Sequence, residues 1–94
     1  MPFLQTDKTY QFRGTQWHAV PGVYGIMNAS KQMIYIGETE DFQRRMQEHQ
    51  QDSAHCMHRY SPALVWAEVI QGGAEPRRQR ERQLIAEYAP PCNG

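Results

Sequence analysis

Tyr24 and Tyr35 stand eleven residues apart in two short apolar runs, Val23-Tyr24-Gly25-Ile26-Met27 and Met33-Ile34-Tyr35-Ile36-Gly37. A phenol hydrogen-bonds readily, but with a pKa of about 10 it acts as a base only where its surroundings ease ionisation. Phe42, Arg45, Met46 and His49 follow helical i, i+3, i+4, i+7 spacing. That puts a cation and an imidazole on or beside the face that Phe42 and Met46 must bury. Glu81, Leu84, Ile85 and Tyr88 repeat the spacing and set a carboxylate in an apolar stripe. A buried carboxylate is costly unless it is paired or binds a metal. Plainer readings stand beside each of these. The tyrosines can pack across a hairpin, Arg45 can lay its stem on apolar surface with its head in water, and Arg77 can pair with Glu81 one turn later.

The elements that would carry these residues follow from local signals. Asn28-Ala29-Ser30-Lys31-Gln32 is turn-rich and joins the two tyrosine runs as a β-hairpin. A helix is predicted over about 40–50, with Thr39 or Asp41 as its N-cap. Residues 51–62 are polar, enough for one helical turn before Ser61-Pro62. Residues 63–70 read as a strand and 75–88 as a helix, with Pro76 tolerated in its first turn and Pro90-Pro91 barring continuation. Thr9–Phe12 alternates as a candidate extra N-terminal strand. The order predicts an α/β fold of α+β type, a small sheet flanked by helices. The expected organisation is one domain over 21–94 behind an N-terminal extension of 1–20.

Composition sets further bounds. Hydrophobic residues make up 39% and charged ones 21%, as in an ordinary globular protein. No stretch reaches the ~20 apolar residues of a membrane span, and Met1–Lys8 lacks the basic and apolar regions of a secretory signal. A cytoplasmic location is the default expectation. Cys56 and Cys92 are too few for a disulfide framework and are read as reduced thiols. His49, His55, Cys56 and His58 compete as a zinc site, but their spacing fits no common pattern. The formal net charge is zero, yet Arg77, Arg78, Arg80 and Arg82 crowd into six residues opposed by Glu81 alone. Such a local patch can contact nucleic-acid phosphates or simply solvate a helix.

Taken together, Gly22-Val23-Tyr24, the run from Tyr35-Ile36-Gly37 through Arg45 to His49, and the run from Glu81 through Pro90-Pro91-Cys92 to Asn93 resemble the motif block of the GIY-YIG nucleases. The resemblance implies a three-stranded antiparallel sheet with the site on one face, where Tyr24, Tyr35, Arg45, His49, Glu81 and Asn93 surround one scissile phosphate in DNA. Glu81 would hold a single Mg²⁺ (or Mn²⁺), Arg45 would grip the phosphate, and a tyrosine, Tyr35 with Tyr24 assisting, would activate water. Its proton could be eased off by the metal and a nearby cation or passed to His49 in relay. Asn93 would position groups by hydrogen bonds, and Gly22 and Gly37 would be structural, Gly37 through close backbone approach. The alternative on the same fold is a non-catalytic nucleic-acid-binding or protein-interaction module. Glu38 stands where the repair members of the family carry lysine, and with Glu40 and Asp41 it predicts an acidic site mouth. Targeting would come from a partner protein or from the short N-terminal segment, or be absent.

Overall fold

The protein is described by a computed structural model over residues 9–93; Met1–Lys8, the start of the expected extension, lies outside the described residues. Along the chain come β1 (Thr9–Gln11), β2 (Gly22–Met27), β3 (Met33–Thr39), α1 (Phe42–Gln51), a 3-10 helix (Cys56–Tyr60), β4 (Leu64–Val69) and α2 (Ala74–Tyr88). Local chemistry explains the boundaries. Asn28 Oδ1 accepts the N–H groups of Ser30 and Gln32 at 3.0 Å each, and Lys31 takes a left-handed conformation (φ 64°), which closes the β2–β3 hairpin. Asp41 caps α1 by accepting the Arg44 N–H at 3.0 Å. Gly72 and Gly73, both at positive φ, turn the chain into α2. At its far end Ala89 is left-handed and its N–H bonds Ile85 O at 2.8 Å.

The sheet is antiparallel in the order β1-β4-β2-β3. The predicted three strands form its body, and β1 adds the fourth. Strand alternation on β2 divides the core. Tyr24 and Ile26 join Phe42 and Met46 of α1, Met57 of the 3-10 helix, Val65, Ala67, Phe12 and Trp17 on one face. Val23 and Ile36 meet Leu84 of α2 on the other. Close packing decides Gly22, where a Cβ would run into Glu68 O and the Phe42 ring. Tyr88 departs from its expected place on the apolar stripe: it is 51% exposed. Leu84 and Ile85 take the sheet contact, and residues 86–89 face solvent.

The cysteines are not reduced thiols. Cys56 and Cys92 form a disulfide, with Cα atoms 5.7 Å apart. Their separation of 36 residues carries no pairing signal in sequence. The pairing arises because the segment after α2 returns along the free side of β3, where Cys92 N–H bonds Ile34 O at 3.1 Å, and so reaches the 3-10 helix. Closing a loop of this length removes unfolded-chain entropy worth about 3–4 kcal/mol. Thermal melts with and without dithiothreitol should therefore differ by more than about 10 °C, and Cys56→Ser should reproduce the reduced melt.

Candidate active site

The free side of β3 organises the site. An edge strand exposes N–H and C=O groups that need partners, and here residues from the end of the chain supply them. The Asn93 carboxamide accepts the Ile36 N–H at 2.7 Å and donates to Ile36 O at 2.8 Å. Two residues along, the Glu38 backbone N–H favours the charged form of the Glu81 carboxylate, while the Glu38 carboxylate disfavours it. Asn93 thus holds the backbone beside Tyr35, while Glu81 is brought from α2 to the same edge.

On the α1 side of this edge the rings form a cluster. The Tyr24 hydroxyl lies 2.6 Å from His49 Nε2. Tyr35 meets Tyr24 at a centroid distance of 6.2 Å and His49 at 5.7 Å. Gly37 is bare because the Tyr24 ring and hydroxyl occupy the space a Cβ would need. Burial, then the negative charge that Tyr35 would carry, push the Tyr24 phenol far above its ordinary value. Tyr35 is also raised, by burial and then by Glu81, but Arg45 and the Tyr24 hydrogen bond act in the opposite sense. Donor and acceptor between the Tyr24 hydroxyl and His49 Nε2 follow the imidazole tautomer. Tyr24 is buried and Tyr35 half-buried.

His49 is only 5% exposed. Burial, then His55 and Arg45, lower its pKa to about 4, with Asp52 opposing and His58 adding to the fall. An imidazole that is neutral when folded but titrates near 6.5 when unfolded makes the unfolded chain bind more protons between those values. Stability is therefore full above pH 6.5 and lost as pH falls toward 4, by up to about 3 kcal/mol. Denaturant midpoints at pH 7.5 and 4.5 should show this loss, and His49→Gln should flatten it.

Arg45 is anchored by its tail. Its Nη1 lies 3.4 Å from Glu48 at the surface, yet its Nε is buried and, among the described residues, has no hydrogen-bond partner. Its charge reaches Tyr24, Tyr35 and His49. An unpaired buried donor is expensive, and an anionic oxygen would satisfy it.

Glu81 does not pair with Arg77. Arg77 instead binds Glu38, Nε to Oε2 at 2.8 Å, because Glu38 points to the α2 face of β3. The expected acidic mouth is accordingly tied up: Glu38 is held by Arg77, Glu40 lies 3.5 Å from Arg44, and Asp41 caps α1. The arginine cluster is divided as well. Arg80 binds Glu68 at 2.9 Å, Arg82 lies 3.9 Å from Glu75, and Arg78 is exposed. Glu81 itself forms no ion pair among the described residues, and burial, then Glu38, raise its pKa.

A lone carboxylate fits a hard divalent cation that keeps most of its water shell. The zinc reading fails on its donors. Cys56 is oxidised, His49 Nε2 meets Tyr24, His55 Nδ1 accepts the Met57 N–H, and His58 Nε2 bonds His49 O at 2.8 Å. No group of three His, Cys, Asp or Glu suited to a metal occurs among the described residues. Sequence reasoning gave His55 no place at the tyrosines; its ring meets Tyr35 edge-on at 4.8 Å, and its only local signal is its position ahead of Cys56.

Comparison with known proteins agrees with this geometry. Residues 20–94 match the GIY-YIG catalytic domain family. The fold is similar to the magnesium-bound N-terminal endonuclease domain of UvrC from Thermotoga maritima, with a TM-score of 0.72 and 22% identity, over 83% of this chain and 88% of that one. An asparagine-to-alanine variant of that domain, bound to its catalytic divalent cation, gives a TM-score of 0.69 at 22% identity, over 80% and 83%. Among curated proteins no relative matches. No helix among the described residues is long and apolar enough to cross a membrane.

Proposed function

This chain belongs to the GIY-YIG catalytic domain family, and we propose that it is a metal-dependent endonuclease that hydrolyses phosphodiester bonds in DNA. The observation that carries the reading is the buried, unpaired Arg45 Nε set among Tyr24, Tyr35 and His49. A phosphate oxygen is the ligand that satisfies it, as a charge-assisted hydrogen bond. Charge developing on that oxygen during attack would be stabilised by the same donor.

In this mechanism Tyr35 takes the proton from the attacking water. The neighbouring Tyr24 hydroxyl and the Arg45 charge favour the ionised form of Tyr35, and the hydrogen bond between Tyr24 and His49 Nε2 orients Tyr24. A relay ending on His49 is disfavoured, since its pKa of about 4 makes the imidazole a poor resting place for a proton. A divalent cation at Glu81 would neutralise charge on the phosphate and the leaving oxygen. Asn93 keeps β3 in place beneath Tyr35. The exposed Arg78 and Arg82 are the members of the cluster open to a DNA backbone, with Arg77 and Arg80 engaged by Glu38 and Glu68. We assign the catalytic unit to residues 21–94 and targeting to a protein partner.

The test is nicking of supercoiled plasmid in Mg²⁺. Wild type should cut, EDTA should stop it, and Tyr35→Phe should slow it about 100-fold, the lower range for losing a general base. Plasmid binding without cutting, in Mg²⁺ or Mn²⁺, would instead favour a binding module.

A further inference from the structure

The proposed chemistry gives no task to the ion pair beside its metal carboxylate. Arg77 Nε meets Glu38 Oε2 at 2.8 Å, with side chains only 11% and 22% exposed. Arg77 and Glu81 lie one turn apart on α2, so the Arg77–Glu38 pair brings a second carboxylate to the neighbourhood of Glu81. The charge of Glu38 is felt at Glu81. Arg77 is the ion-pair partner of Glu38 among the described residues.

We propose that Arg77 is a positioning residue that holds the Glu38 carboxylate away from Glu81, so that the site offers a divalent cation one carboxylate instead of two. The proposal rests on the reading of Glu81 as the metal ligand. Its chemistry is that of cation hydration. One carboxylate leaves a hard cation most of its water and binds it weakly, whereas two carboxylates displace more water and bind more tightly. Removing Arg77 would leave a mostly buried carboxylate without its counter-charge, and that carboxylate would turn to the cation. A pair that merely fastened α2 to β3 would affect stability and leave metal affinity alone.

The experiment is Mn²⁺ binding to the folded chain without DNA, by isothermal calorimetry and by electron paramagnetic resonance of free Mn²⁺. Wild type, Arg77→Gln, the double variant Arg77→Gln/Glu38→Gln and Glu81→Gln are compared, with circular dichroism confirming the fold. Arg77→Gln should tighten binding about tenfold, the double variant should return to the wild-type affinity, and Glu81→Gln should lose binding. If glutamine at 77 unfolds the chain, Arg77→Met keeps the apolar stem and carries the same expectation. Unchanged or weaker binding without Arg77, or a gain that persists in the double variant, overturns the proposal. If that happens while Glu81→Gln still loses binding, Glu81 remains the ligand and only the role of Arg77 falls. Unaltered binding in Glu81→Gln would overturn both.

Discussion

Glu81→Gln should depress Mg²⁺-dependent nicking of plasmid by at least ~1000-fold, because a metal ion's share of charge stabilisation in phosphoryl transfer amounts to several kcal/mol. Glutamine preserves the size of the side chain, and the clasp of Asn93 on Ile36 keeps the edge of β3 closed. What is lost is the negative charge. A neutral amide oxygen holds a hard cation poorly, and the nearby Glu38 carboxylate is engaged by Arg77. Initial nicking rates across a Mg²⁺ titration distinguish the possible failures. A rate restored at high Mg²⁺ would mean that Glu81 assists binding without being essential; a rate equal to wild type throughout would place the metal elsewhere.

Arg45→Ala should cost about 1000-fold in the same assay, at the upper end of the effect of deleting one preorganised donor to a developing oxyanion. The folded chain should tolerate the change well. Among the described residues Arg45 has one ion pair, with exposed Glu48, and its buried Nε has no hydrogen-bond partner. Its removal also takes away a positive charge that favours ionised Tyr35 and opposes protonation of His49. Arg45→Lys should recover little, because lysine restores charge without the forked donor geometry. A melting temperature at or above that of wild type, combined with the lost activity, would identify Arg45 as a residue kept for chemistry at no benefit to stability. Near-normal cutting by Arg45→Ala would remove the observation on which the functional reading stands.

Elements governed by local signals were legible in the sequence. The Asn28 turn, the Asp41 cap, the short strand at Thr9 and the helix ending before Pro90 each announce themselves within a few residues, and the structure has each of them. Contacts between distant segments were not legible in the same way. Arg77 had an acceptable partner four residues ahead, yet binds Glu38 because β3 passes beneath the first turns of α2. The disulfide depends on where the returning chain lies, which no spacing encodes. Helical periodicity put Tyr88 on the buried stripe, but periodicity does not say where the sheet contact stops. At the site, residue types and order suggested which side chains to gather. The hydrogen bond of Tyr24 to His49, the approach of His55 and the clasp of Asn93 on Ile36 came only with the fold.

That clasp bears on self-association. Ile34 O and the N–H and C=O of Ile36 are occupied by Cys92 and Asn93. A second chain cannot add a strand there, which leaves the three-residue β1 as the sheet's other margin. The returning segment thereby also keeps this flank from acting as a template for aggregation. Asn93→Ala uncovers it, so insolubility in that variant would report a bared strand, and its enzymology belongs to dilute solutions first shown to be monomeric by light scattering.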